Sequence, residues 1–138
     1  MKTTEAPSTL PPPLGKYPRF RRAGNLIYVS GVSARLPDGS IDGVSQENGV
    51  LRRDVRRQTQ RVLQNVAEIL ASAGASLADC VDITVFLTDP QDFAAYNAVY
   101  GEYFESNGPA RTTVIVRGLP HPDMVVEVKA VAWKAAAQ

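Results

Sequence analysis

A chain of 138 residues, 44% hydrophobic and 21% charged with a net charge of +1, has the size and composition of one soluble globular domain. Such a chain can bury a core without a disulfide or metal staple. One cysteine (Cys80) and one histidine (His121) exclude an internal disulfide and argue against a Cys/His zinc site. No apolar run approaches the ~20 residues that span a bilayer, and the proline-rich start lacks the apolar core of a signal peptide. A cytoplasmic enzyme or binding protein with no membrane attachment is expected.

Charge is unevenly placed: eleven Lys and Arg against five Asp and Glu through Arg61, then four against nine. That asymmetry can mark a nucleic-acid binder. No interleaved aromatic motif accompanies the arginines, however, so the basic face is expected to meet water or an acidic face of another subunit. Nucleic acid is disfavoured as a partner.

Residues 1–13, with Pro7, Pro11, Pro12 and Pro13, read as a flexible arm, and residues 14–138 as a single domain. Phe20-Arg21-Arg22 and Leu26 to Ser30 flank Ala23-Gly24-Asn25, which predicts a hairpin. Pro37-Asp38-Gly39-Ser40 is a turn, and the stretch to Gly49 reads as loop. From about Leu51 to Ala73 the apolar period is helical, through Val55, Val62, Val66 and Ile69, with Arg52, Arg53, Arg56, Arg57 and Arg61 on the other face and Gly74 as the stop. Cys80 to Thr88 alternates as a strand, with Val81, Ile83, Val85 and Leu87 on one side. Asp89-Pro90 opens a second helix carrying Phe93, Tyr96, Asn97, Tyr100 and Phe104, ended by Asn107-Gly108-Pro109. Two strands follow, Thr112 to Arg117 and Met124 to Trp133.

The order β-β-α-β-α-β-β is an α+β arrangement, one mixed sheet with both helices on one face. In the last strand Val126, Val128, Ala130 and Ala132 share an apolar side suited to the helices. Glu127, Lys129, Val131 and Trp133 share the other, a mixed face that needs cover and points to an oligomer packing sheet faces together.

Several stretches in order resemble the RidA (YjgF-type) family: Leu14-Gly15-Lys16-Tyr17, Gly24 to Gly31, Asp92 to Tyr100, Pro109-Ala110-Arg111-Thr112-Thr113, Leu119-Pro120 and Val126 to Ala132. The resemblance spans roughly residues 14–134. It implies a chorismate-mutase-like fold, a homotrimer with clefts between subunits, and hydrolysis of reactive enamines and imines with release of ammonia. It places the carboxylate-gripping arginine at Arg111 and the water-activating glutamate at Glu127, with Tyr17, Ser30 and Asn97 lining the cleft. Val32 stands where the family commonly has Gln, and Thr112-Thr113 replace the small residue after Pro-Ala-Arg. Segments 20–24 and 30–38 are more similar to the 2-aminomuconate deaminase branch of aromatic and tryptophan catabolism, whose product is 4-oxalocrotonate.

The chemistry fits these residue types. An enamine is protonated at carbon, water adds to the imine, and the carbinolamine expels ammonia; a carboxylate relaying protons suits the last two steps. Arginine pairs bidentately with a carboxylate, and no cofactor, metal or Schiff-base lysine is required. Without the resemblance, Arg111 reads as a surface ion-pair partner, and Glu127 with Lys129 as a cross-face pair in which Lys129 lowers the Glu127 pKa. Ser30 lacks any nucleophile-elbow motif. A dicarboxylate needs a second cationic donor, for which Arg35 leads Arg22, Arg19 and His121. Two other readings remain: a generic deaminase of 2-iminopropanoate and 2-aminoacrylate, and a non-enzymatic trimeric regulator that binds a small carboxylate.

Overall fold

The computed structural model describes residues 10–137. Strands β1 (Phe20–Ala23) and β2 (Leu26–Val29) form the first hairpin, paired from Phe20↔Val29 to Ala23↔Leu26. A second hairpin, β3 (Val44–Glu47) and β4 (Val50–Arg53), stands apart as its own two-stranded sheet. Helix α1 covers Val55–Ser72, β5 Cys80–Leu87, α2 Phe93–Tyr103, β6 Ala110–Ile115 and β7 Val126–Trp133. The main sheet runs β1-β2-β7-β5-β6. Its β5–β6 pair is parallel and bridged by α2, and all its other pairs are antiparallel. The chain is thus α+β, with both helices on one face of a mixed sheet.

The core lies between that face and the helices. Val126, Val128, Ala130 and Ala132 of β7 are buried opposite Leu87, Val85, Ile83 and Cys80 of β5. Above them sit Val62, Val66, Ile69 and Leu70 of α1 and Tyr96 and Tyr100 of α2. Fully burying each such aliphatic side chain contributes roughly 1.5–3 kcal/mol, so the period-two and helical stripes dictate how the layers stack.

Three expectations need correction. The region read as loop and helix start is the β3–β4 hairpin. Asn48-Gly49 turns it with φ of 52° and 78°, the left-handed pair that a two-residue turn requires. Helix α1 begins only at Val55, because Asp54 is its cap and accepts from the Arg56 and Arg57 N–H groups at 2.9 and 3.3 Å. Arg52 and Arg53 therefore belong to the hairpin, not the helix. In β5 a register shift between Cys80 and Asp82 breaks the alternation, so Cys80 is buried and Val81 is 45% exposed.

The basic stripe is largely neutralised within the chain. Arg52 pairs with Glu47, Arg53 with Asp123, and Arg57 and Arg61 both with Asp42. Burial opposes ionisation of Asp42, but hydrogen bonds from Arg61 and Arg57 outweigh it and hold the carboxyl below its ordinary value.

Candidate active site

Where the chain leaves β2, residues 30–32 continue beside β7, with Val32 and Val128 exchanging both backbone hydrogen bonds at 2.8 and 2.9 Å. This segment and β7 frame a cleft of about 190 Å³ lined by Tyr17, Arg19, Ser30, Gly31, Arg35 and Glu127, together with Leu10, Pro11, Pro13 and Leu14. Two buried side chains of α1 hold its rim. Asn65 donates to the carbonyls of Ser33 and Arg35 at 3.0 and 2.9 Å. Gln58 donates to Asp123 O and accepts from Val125 N, which fixes the approach to β7.

Glu127 sits half-buried on the side of β7 away from Val126 and Val128. Its carboxyl lies against Gly31, where a Cβ would meet Cδ and Oε2 at 3.2 Å; the missing side chain is what makes the room. Burial pushes the Glu127 carboxyl above its ordinary value. The expected help from Lys129 is absent, because its ammonium donates to Val29 O at 3.3 Å instead. A desolvated carboxyl with no cationic partner among the described residues suits a group that takes up and returns a proton.

Arg111 lies elsewhere. In register it stands beside Ile83, a buried residue of the helix-facing side. Its guanidinium donates to Asn97 Oδ1 at 2.9 Å and lies over the rings of α2, 4.5 Å from Tyr100 and 5.4 Å from Tyr96. Glu127 stands beside Phe86, on the opposite face and one strand further across. Strand spacing and rise separate the two backbones by on the order of 14 Å. Within one chain the pair does not meet.

Of the other predicted residues, Tyr17, Ser30 and Arg35 line the cleft, and Asn97 belongs with Arg111. The Ser30 hydroxyl donates to Pro18 O at 2.7 Å, a structural tie rather than a nucleophile's setting. Among candidate second cations, Arg22 and His121 do not line the cleft: Arg22 donates to the carbonyls of Lys134 and Ala73, and His121 accepts from the Asp123 N–H. Arg35 and Arg19 remain. Both hold the segment described from Leu10 onward: Arg19 donates to Leu10 O and Pro11 O at 2.7 Å, Arg35 to Pro12 O at 3.0 Å. The first nine residues of the expected arm lie outside the described residues. Sequence reasoning missed Gly31 and Asn65 as shapers of the site. A polar Asn65 inside the apolar stripe of α1 is the signal that marks it.

The chain is thus a two-layer α+β domain with a carboxyl-bearing cleft at one sheet face and an arginine at the other. Residues 7–134 match the family described as Endoribonuclease L-PSP. A RutC family protein of Pyrococcus abyssi is 43% identical over 124 residues, covering 90% of this chain and 91% of that one. The 3-aminoacrylate deaminase RutC of Acinetobacter baylyi is 40% identical over 127 residues, covering 91% and 93%. The crystal structure of Escherichia coli TdcF with bound serine superposes with a TM-score of 0.80 at 31% identity, covering 97% and 100%. The chain belongs to this family, the RidA/YjgF proteins.

Proposed function

We propose that the protein is a hydrolytic deaminase of small enamine and imine carboxylates, working without a cofactor as a homotrimer with clefts between subunits. The observation that carries this reading is the desolvated Glu127 carboxyl, set against Gly31 in a cleft walled by arginines. Similarity to a relative named 3-aminoacrylate deaminase supports the substrate class. In this reading the enamine is protonated at carbon to the imine, and Glu127 takes a proton from water as the oxygen adds to the imine carbon. It then returns that proton to nitrogen to complete the carbinolamine, and carries the carbinol O–H proton to nitrogen as the C–N bond breaks, leaving the oxo acid and ammonia. Arg111 grips the carboxylate with its planar fork and fixes the reacting carbon.

The separation of Arg111 from Glu127 favours a second copy as the supplier of the missing half. Tyr28, Val114 and Trp133 are exposed, and the β7 side that carries Glu127 alternates away from the core, which supports sheet-to-sheet packing between copies.

The finer reading concerns a dicarboxylate, 2-aminomuconate, converted to 4-oxalocrotonate. Arg35 and Arg19 in the cleft favour it, since a substrate held at one end by Arg111 would find a second cation there. A monocarboxylate such as 2-iminopropanoate needs Arg111 alone, and the relative named for 3-aminoacrylate favours this simpler class. Ammonia release from both substrates, generated enzymatically, separates the readings. Wild type should act on at least one, and Arg111→Ala and Glu127→Gln should each lose about a hundredfold or more. Arg35→Ala should impair only the dicarboxylate. Full activity in both Arg111→Ala and Glu127→Gln would overturn the mechanism, equal losses for both substrates in Arg35→Ala would remove the dicarboxylate reading, and ligand uptake without ammonia would make this a binding protein.

A further inference from the structure

Arginine carries a long, rotamer-rich side chain, and a carboxylate clamp gains affinity when the fork is ordered before the ligand arrives. The surroundings of Arg111 do that ordering. Phe93, Tyr96, Tyr100 and Phe104 recur at three- and four-residue steps along α2 and just past its end, so their rings stack as a ladder with centroids 5.8, 6.0 and 4.7 Å apart. The ladder is anchored, because the Tyr96 hydroxyl hydrogen-bonds Thr113 Oγ1 at 2.9 Å across to β6. The Arg111 carbon Cζ lies over three of these rings, nearest to Tyr100 at 4.5 Å and 6.0 Å from Phe93.

Tyr100 is the rung that matters most. It is 9% exposed, clasped between Tyr96 and Phe104, and its hydroxyl has no hydrogen-bond partner among the described residues. Burial pushes its phenol up to about 12, with Arg111 opposing the shift, so it stays neutral. A buried hydroxyl without a partner is a cost to the fold. The electron-rich ring face is therefore what this residue offers its neighbour.

We propose that Tyr100 is a positioning residue for Arg111: its ring fixes the guanidinium while Asn97 takes one N–H, leaving the remaining N–H edge presented to a substrate carboxylate. The proposal rests on the reading of Arg111 as the carboxylate clamp, and it predicts that the ring matters while the hydroxyl does not.

The test compares full-length wild type, Tyr100→Phe and Tyr100→Leu. With 2-iminopropanoate, Tyr100→Phe should hold KM within twofold and melt no lower than wild type. Tyr100→Leu should raise KM about fivefold to tenfold with kcat little changed, the size of a partly desolvated cation–π contact. A structural role alone would lower the melting temperature without that split. The Arg111 side-chain protons should resonate upfield through the ring current in wild type and Tyr100→Phe, and move back downfield in Tyr100→Leu. Should the leucine chain not fold, Tyr100→Met fills similar space without a π face and repeats the comparison. An unchanged KM and unchanged Arg111 resonances in a folded leucine or methionine chain would overturn the proposal. So would equal losses in the phenylalanine and leucine chains. Absence of ammonia release by wild type would remove the deaminase reading, while the resonances would still decide the Tyr100–Arg111 contact.

Discussion

Gly31→Ala isolates the contact on which the proposed proton-handling role of Glu127 depends. Gly31 has no left-handed backbone, so alanine fits its conformation without strain. The new methyl, however, would stand 3.2 Å from Cδ and Oε2 of Glu127 and 3.4 Å from Oε1. An ordinary contact needs a few tenths of an ångström more, and the carboxylate, at the end of a flexible side chain beside an open cleft, is the group that yields. A misplacement of 1 Å costs on the order of a hundredfold in rate, so a displacement of about half that predicts a loss of about tenfold in kcat. The same freedom keeps the stability cost below about 1 kcal/mol, under the usual penalty for overpacking. Steady-state ammonia release and a thermal melt check both numbers. Unchanged kcat would refute the reasoning, as would a collapse in melting temperature, since the first denies the contact and the second makes it a matter of folding.

Other consequences can be measured on the same protein. Burial raises the Glu127 carboxyl, and the group must be ionised to accept a proton. The acid limb of kcat/KM should therefore lie above the ordinary glutamate range, with activity falling as pH falls through the raised value, and it should vanish in Glu127→Gln. Stability runs the other way. With the folded pKa above the unfolded one, the favourable contribution is present below the unfolded value and lost as pH rises through the folded one. Glu127→Gln should thus melt higher than wild type near neutral pH, a gap that closes in acid; a gap that widens in acid would contradict the assigned direction. Cys80 is buried and its thiol is pushed up to about 11 by burial and by Asp79, so an Ellman-type reagent near pH 8 should label it only after unfolding. Labelling of the native protein would refute that. Asn65→Ala should cost about 2–3 kcal/mol, because two carbonyls lose their donor in a buried place; denaturant melts within 0.5 kcal/mol of wild type would show the rim is held otherwise.

Much of this fold is legible in the residues because burial repeats. The alternation from Val126 to Ala132 and the stripe from Val55 to Ile69 each name a face, and the structure buries those faces. The β3–β4 hairpin escaped because β4 is exposed throughout and β3 nearly so, so no apolar alternation marks them. Its one local signal, Asn48-Gly49, is a turn pair whose strands carry no pattern. The side of Val81 was illegible because a bulge shifts the phase without a glycine to announce it. Arg111, Glu127, Tyr17, Ser30 and Asn97 become candidates through the family resemblance, and Arg35 through its charge and divergent loop, but how they group is not legible. Period-two reasoning fixes which face a residue takes, whereas the strand order β7-β5-β6 decides that Glu127 and Arg111 lie apart. Lys129 shows the same limit: it shares a side with Glu127 and still turns to the Val29 carbonyl.

The central claim is that Arg111 of one copy and Glu127 of another complete each cleft, and subunit mixing tests it most directly. Arg111→Ala and Glu127→Gln chains, each inactive alone, are unfolded together in equal amounts and refolded. In randomly mixed copies of the proposed trimer about a quarter of the clefts pair an intact arginine with an intact glutamate from neighbouring copies, so about a quarter of the wild-type ammonia release should return. No recovery from a mixture shown to contain hybrid trimers would contradict the account.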